Sequence, residues 1–235
     1  MKKIKIQIVK LGKQKYNKLF AKLEKYKSEI FEVEVYEVSR PDCDYEWGYT
    51  FRTLEEILDK DFDEKNYDIC IGFVDTIIEF NYFGKRLKDN NIYIVSFFQV
   101  SDFLITEKID VFNYMLSTIY RYSTRSILRG KYLTHDETRG CIFDMCGEKS
   151  DIIYSCQNPI ICERCKSKIE DIAHPSGFVE LLSKEILKIK KSFYHRIAGF
   201  IKLHPYLSLG MGMISAIVFN ILSSFIYDWI KIWHI

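Results

Sequence analysis

The chain has 235 residues, of which 48% are hydrophobic and 28% charged, and its formal net charge is +2. This length and composition allow one substantial core, with room for a second module, while the balanced charge indicates no class of partner. Seven cysteines, an odd number, disfavour a disulfide framework and favour metal ligation with a few buried thiols. The N-terminal stretch lacks the uninterrupted apolar segment of a signal peptide, so the N-terminus is expected in the cytosol.

Hydrophobic patterning predicts an α/β domain over residues 1–130. Alternating or continuous apolar segments predict strands at 3–9, 30–38, 67–74 and 91–98, and helical spacing predicts helices at 14–27, 54–58 and 106–128. Strands that alternate with helices in this order are typical of one layered α/β domain.

Residues 131–175 change to turn residues and cysteines and predict a structural zinc site. Cys162 and Cys165 form a Cys-x2-Cys pair, whose thiolates can reach one ion from a single tight turn. His135 and Cys141 flank a turn with Gly140 and complete the best tetrahedral set. The predicted ligands are therefore His135, Cys141, Cys162 and Cys165, with Cys146 as the reserve ligand.

Four protein ligands close the coordination shell, so such a zinc ion holds loops together and has no position for a reactive water. Ordinary buried or free thiols are the alternative. A redox dithiol is disfavoured, because the Cys-x2-Cys pair does not open a helix after a strand.

The order of these ligands resembles that of the archaemetzincins, small zinc metallopeptidases of the metzincin family. His135 stands where that family has its first structural cysteine, Cys141 and the Cys162/Cys165 pair match further ligands, and Phe143 replaces a methionine. The resemblance covers about residues 3–168. It implies a mixed-sheet, metzincin-like fold with a four-ligand structural zinc.

The catalytic part of the family motif is missing from the matching segment. An active member needs two histidines one helical turn apart and a neighbouring glutamate. Residues 114–130 contain no histidine, glutamate or aspartate. The resemblance therefore implies a peptidase-like domain without activity.

A basic stripe stands in the same segment. Arg121, Arg125 and Arg129 recur at every fourth position, which places them on one helix face beside the expected cleft. One interpretation is that these arginines form a solvated helix face without a ligand. The other is that they bind an anionic or nucleotide-type ligand, because guanidinium groups bind phosphate bidentately.

The C-terminal part predicts a membrane anchor. Residues 176–204 are expected to form a basic amphipathic juxtamembrane helix, and residues 205–228 a transmembrane helix, since 205–227 contain no charged residue. Basic residues precede this segment and aromatic residues lie near its ends. The positive-inside bias then predicts a single-pass protein of the cell inner membrane with a cytoplasmic N-terminal domain.

The predicted span carries a stripe of small and polar residues. Every fourth residue from Ser208 gives Ser208, Gly212, Ala216, Asn220 and Ser224. Small residues let helices approach closely, and an asparagine in lipid needs a polar partner on another helix. This favours a homo-oligomer in the membrane, with a monomeric tail anchor as the alternative.

Three functions fit this organisation. In the first, an inactive, zinc-stabilised cytosolic sensor controls an oligomeric transmembrane pore or ion channel, a design that resembles membrane effectors of prokaryotic anti-phage defence. In the second, a tail-anchored scaffold recruits a partner to the membrane. The third is a divergent membrane-bound zinc metallopeptidase, which is disfavoured because the general base is missing.

Overall fold

The structure is a computed structural model that describes residues 2–12, 14–39, 42–88, 91–128, 133–136, 138–172, 177–189 and 193–233. The chain divides into two compact units, residues 1–190 and 191–235.

A five-stranded mixed sheet forms the centre of the first unit, as the α/β prediction required. Its strands are β1 (Ile4–Leu11), β2 (Phe31–Val38), β3 (Ile69–Val74), β4 (Gly84–Lys88) and β5 (Ile92–Ser96), in the order β2-β1-β3-β5-β4. Strands β1, β2, β3 and β5 run parallel, and β4 pairs antiparallel with β5 at the edge. Every residue of β3 and β5 is buried, as expected for central parallel strands.

Helices cover both faces of the sheet. Those of the first unit are α1 (Asn17–Glu24), α2 (Phe51–Asp61), α3 (Val100–Thr106), α4 (Val111–Ile127), α5 (Ile152–Gln157), α6 (Glu163–Ile172) and α7 (Phe178–Ile186). Alternate residues of β1, β2, β3 and β5 belong to two hydrophobic clusters, a small one that includes residues of α2 and a large one that includes residues of α4. Asp110 caps α4 by accepting a hydrogen bond from the Phe112 N–H at 2.9 Å.

Several elements differ from the predictions. The helix expected over 106–128 begins only at Val111, because the chain turns at Lys108, which has a φ of 56°. Helix α3, which precedes this turn, was not predicted. Strand β4 was not predicted, since its sequence GKRLK carries the polar pattern of an edge strand. The cysteine-rich region also contains two helices, α5 and α6, whose buried Ile152 and Ile169 join the main core.

The basic helix expected over 176–204 is divided into two helices. Its first part, α7, packs Phe178, Leu182 and Ile186 into the main core of the first unit, and its second part, α8 (Phe193–Leu203), belongs to the second unit. The stretch therefore does not form one continuous juxtamembrane helix. Lys190 and Lys191, two basic residues of this stretch, lie outside the described residues.

A buried carboxylate fixes α7 to the first unit. Glu185 is fully buried and accepts hydrogen bonds from the hydroxyls of Ser28 at 2.6 Å and Tyr120 at 2.9 Å, and from the Lys188 ammonium. Burial disfavours the carboxylate, but these hydrogen bonds outweigh it and lower the pKa of Glu185. Since Tyr120 belongs to α4, this network connects α4 with α7.

The second unit contains α8 and α9 (Pro205–Trp233). Hydrogen bonds from His204 N–H to Phe200 and from Ser208 N–H to His204 continue the helical pattern across their junction, both at 2.9 Å. Pro205 occupies the first position of α9, where its missing N–H costs nothing.

Candidate metal centre and basic cleft

The four predicted zinc ligands come together at one point of the first unit. Short bridges pair His135 with Asp144 and Cys141 with Ile160, which hold these ligands in neighbouring extended segments. Gly140 has a φ of 90°, so the turn before Cys141 uses a conformation that favours glycine. Cys162 stands directly before α6, and its carbonyl accepts the Cys165 N–H at 2.9 Å, which forms the tight turn of the pair.

The distances among these side chains fit a tetrahedral zinc ion. The Nε2 atom of His135 lies 3.3 Å from Cys141 Sγ and 3.5 Å from Cys162 Sγ, and Cys141 Sγ lies 4.0 Å from Cys165 Sγ. All four ligand atoms lie within 4.8 Å of one another. Zinc–sulfur bonds of about 2.3 Å and zinc–nitrogen bonds of about 2.0 Å would place tetrahedral ligand atoms about 3.5–3.8 Å apart. The residues therefore fit the metal that the spacing predicted.

The shifted pKa values of Cys141 and Cys165 are also consistent with a metal site. The neighbouring Cys165 thiol is the main cause that lowers the pKa of Cys141 to about 5, and the same contact raises the pKa of Cys165. Without a cation, the cluster thus prefers one thiolate that shares a proton with a neighbour. A divalent cation would stabilise the remaining thiolates and replace their protons.

The other cysteines of this region stand apart from the four ligands. Cys146 is buried, and its Sγ lies 3.6 Å from the carbonyl oxygen of Asp144. Burial raises its pKa to about 11, although the nearby Arg121 acts in the opposite direction. Burial also raises the pKa of Cys156 on α5. Among the described residues, the group able to hold a metal ion therefore does not include the reserve ligand Cys146.

A basic cleft of about 1230 Å³ opens between the edge of the sheet and helix α4. Five cationic side chains line it: Lys85 and Arg86 from β4, Arg121 and Arg125 from α4, and Lys149 from a short 3-10 helix (Lys149–Asp151). Glu148 is the one carboxylate among its described lining residues. The cleft thus presents an excess of positive charge.

The two predicted arginines of α4 are held within this cleft. The Nε–H of Arg121 donates to the carbonyl of Ile142, which follows the candidate zinc ligand Cys141 in the chain. Burial raises the pKa of Tyr122 to about 12, and the charges of Arg121 and Arg125 oppose this rise. Both guanidinium groups therefore lie within electrostatic reach of the Tyr122 hydroxyl. Arg129, the third predicted residue of the stripe, lies outside the described residues.

Lys149 lines the same cleft from the short 3-10 helix. Its ammonium donates hydrogen bonds to Asn81 Oδ1 at 2.6 Å and to the Phe98 carbonyl at 3.2 Å. Burial lowers its pKa to about 8. Sequence reasoning missed Lys85 and Arg86, because only the pairing of β4 with β5 brings them to α4; the polar GKRLK segment before a buried strand was the available signal. It also missed Lys149, whose place in the cleft depends on its contact with the distant Asn81.

The predicted membrane segment forms a long apolar helix. Residues Pro205–Tyr227, 23 in number, have a mean hydropathy of 1.9 and are not buried in the structure, so by length and composition they can cross a membrane. The predicted stripe residues Ser208, Gly212, Ala216, Asn220 and Ser224 all lie on α9. The hydroxyls of Ser208 and Ser224 donate to the carbonyls of His204 and Asn220, at 2.9 and 3.2 Å.

Comparison with known proteins gives two similar solved structures. The crystal structure of archaemetzincin (AmzA) from Archaeoglobus fulgidus, complexed with malonate, is 20% identical, covers 71% of this chain and 100% of its own, and has a TM-score of 0.43. A zinc-dependent peptidase from Methanocorpusculum labreanum is 13% identical, covers 70% of this chain and 99% of its own, and has a TM-score of 0.44. The first is a member of the family that the ligand spacing resembles.

No model of a protein family matches the chain, and no curated protein matches it.

Proposed function

We propose that this chain is a single-pass membrane effector. Its zinc-stapled domain binds an anionic ligand in the basic cleft and thereby controls a homo-oligomeric pore formed by its C-terminal helices. The proposal includes a role in prokaryotic anti-phage defence, with the domain in the cytoplasm and the helix in the inner membrane. The observation that carries it is the cleft, where three separate elements bring five cationic side chains together.

The composition of the cleft supports binding of an anion. Arginine side chains offer planar pairs of N–H donors that match the oxygens of phosphate or carboxylate groups. Arg121 is already oriented by its hydrogen bond to Ile142, so less side-chain freedom is lost when an anion binds. Charges on both walls of a cleft also raise the local concentration of anions.

The candidate zinc ligands and the residues that α4 places in the cleft argue against peptide hydrolysis. The zinc ligand set has four protein ligands, which leaves no open position for a metal-bound water. Helix α4 presents Arg121, Tyr122 and Arg125 to the cleft, and arginine stays protonated and cannot serve as a general base. We therefore propose that the zinc is structural and that the domain binds its ligand without chemical change.

The properties of α9 support a role in the membrane. Its apolar length matches the ~20 residues that cross a hydrocarbon core. Asn220 lies near the middle of the apolar segment, where an amide gains from hydrogen bonds to a second helix. Self-association would pair the Asn220 amides and place the small residues at the contact.

A buried hydrogen bond also connects helix α4, which lines the cleft, with helix α7. Tyr120 directly precedes Arg121 in α4, and its hydroxyl donates to Glu185 of α7. A ligand that shifts α4 would change this buried hydrogen bond. We propose that the network passes the change in α4 to α7, which precedes the second unit in the chain.

Membrane potential in cells that overexpress the full chain tests the proposal. We expect depolarisation by the full chain, none after deletion of the residues beyond Leu203, and a reduced effect for Asn220→Leu. Phe219→Leu, an exposed neighbour in α9, is the matched control and should behave as the unchanged chain. Unchanged potential with the full chain would favour the scaffold, and peptide turnover stopped by a chelator would favour the peptidase.

A further inference from the structure

An aromatic pocket adjoins the basic cleft. It has a volume of about 560 Å³, and its lining includes Tyr45, Trp47 and Phe80. Phe80 and Asn81 line both this pocket and the cleft, so the two form one continuous surface. Large aromatic side chains are costly to leave in water, and here Phe80 is 75% exposed and Tyr45 56% exposed.

The aromatic pair of this pocket is held in place before any ligand arrives. The rings of Tyr45 and Trp47 stack with centroids 5.2 Å apart and planes inclined by 9°. Reciprocal backbone hydrogen bonds between Tyr45 and Gly48 close the turn, at 3.1 and 3.2 Å. Gly48 packs directly against the next segment, since a Cβ there would lie 2.0 Å from the Ile77 carbonyl oxygen.

A carboxylate anchors the same loop to α2. The Asp44 carboxylate accepts hydrogen bonds from the Thr50 N–H at 2.7 Å and from the Thr53 hydroxyl at 2.5 Å. Burial raises the pKa of Asp44, but these hydrogen bonds outweigh it and the net pKa is lowered. The loop that carries the stacked rings is therefore built on fixed contacts.

The junction between pocket and cleft has an unusual backbone. Phe80, Asn81 and Gln99 have φ values of 55°, 54° and 62°, in the left-handed region that costs energy for residues other than glycine. The Asn81 amide donates to Gln99 Oε1 at 3.1 Å and its oxygen accepts from Lys149 at 2.6 Å. With this backbone conformation the Phe80 side chain is exposed to solvent. Asn81, the next residue, connects the aromatic pocket to the Lys149 ammonium of the cleft.

We propose that the ligand of the cleft is a nucleotide, whose base stacks on the aromatic pocket and whose phosphates bind the five cations. This inference rests on the proposed function and names the ligand class of the same site. Flat, exposed rings beside a positively charged groove are the two features that bind a base and its phosphates together. A lipid headgroup or a free phosphate would use the cations and leave the stacked rings without a role.

Calorimetric titration of the full chain in detergent tests the ligand class. ATP, GTP, CTP and UTP are titrated separately, together with inorganic tripolyphosphate and hexaglutamate. We expect at least one nucleotide to bind roughly 5- to 150-fold more tightly than tripolyphosphate, the range that one stacked base contributes. Trp47→Leu should remove this difference and leave tripolyphosphate binding unchanged, whereas Tyr154→Leu, an exposed aromatic residue outside both pockets, should keep it.

Tryptophan fluorescence locates the base. Trp47 is the one tryptophan of the first unit, so the Trp229→Phe/Trp233→Phe chain reports on the pocket alone. We expect quenching by the bound nucleotide and none by tripolyphosphate. Equal affinity for tripolyphosphate and all four nucleotides would overturn the inference while anion binding in the cleft stands. Tighter binding of hexaglutamate would assign the site to an acidic peptide, and binding of none of these probes would contradict the proposed function as well.

Discussion

Removal of zinc should destabilise the first unit by a calculable amount. The four ligands join the segment around His135, the turn at Cys141 and the start of α6, which are otherwise linked by short bridges. A ligand that binds only the folded chain stabilises it by RT ln(1 + [L]/Kd), about 4.1 kcal/mol when free zinc is 1,000 times Kd. For a unit of this size that corresponds to a fall in Tm of roughly 8–16 °C after chelation.

The assay is thermal unfolding followed by circular dichroism, with zinc content measured on the same samples. The zinc-loaded chain is compared with the chelated chain, with Cys165→Ser and with Cys146→Ser. Cys146→Ser is the matched control, because Cys146 is buried in the same region but lies outside the ligand group. We expect one zinc per chain in the unchanged protein and in Cys146→Ser, and weakened zinc binding in Cys165→Ser. An unchanged Tm after complete chelation, or loss of zinc from Cys146→Ser, would refute this reasoning.

Three further predictions concern the cleft, the aromatic loop and the buried carboxylate. Because burial lowers the pKa of Lys149 to about 8, affinity for tripolyphosphate should fall as pH rises through 8, and calorimetry of Lys149→Met should show a weaker pH dependence. Gly48→Ala should distort the loop against Ile77, so nucleotide selectivity should fall in titrations while zinc content stays unchanged. The lowered pKa of Glu185 stabilises the fold above its unfolded value of about 4.3, and this contribution is lost as pH falls through the folded value. Glu185→Gln should cost roughly 1.5–3 kcal/mol at neutral pH and flatten the acid limb of a denaturation series.

The grouping of the four candidate metal ligands could be predicted from sequence because their chemistry is local. The Cys162/Cys165 pair defines a turn by its spacing, and His135 and Cys141 flank a second turn at Gly140. The buried strands β3 and β5 were equally visible, since parallel strands covered on both faces are continuously apolar. Arg121 and Arg125 were found by their helical period alone.

The rest of the site depends on contacts between distant parts of the chain. Lys85 reaches the cleft because β4 pairs with β5, and Lys149 because its ammonium binds Asn81. Neither contact has a periodic signal. The aromatic pocket joins the Tyr45/Trp47 loop to Phe80, whose left-handed backbone is not readable from its residue type. The sequence predicted that the α7 segment is part of a basic surface helix. It does not reveal that Glu185 is buried, because the hydroxyls that bind its carboxylate come from the distant residues Ser28 and Tyr120.

Ion flux from liposomes that contain the purified full chain tests the central claim most directly. Flux is measured before and after addition of tripolyphosphate or of a nucleoside triphosphate on the side of the zinc domain. We predict that ligand changes the flux, that Arg121→Met needs at least tenfold more ligand, and that Arg52→Met, an exposed arginine paired with Glu56 on α2, behaves as the unchanged chain. Flux that is the same with and without ligand in all three proteins would contradict control of the membrane helix by the basic cleft.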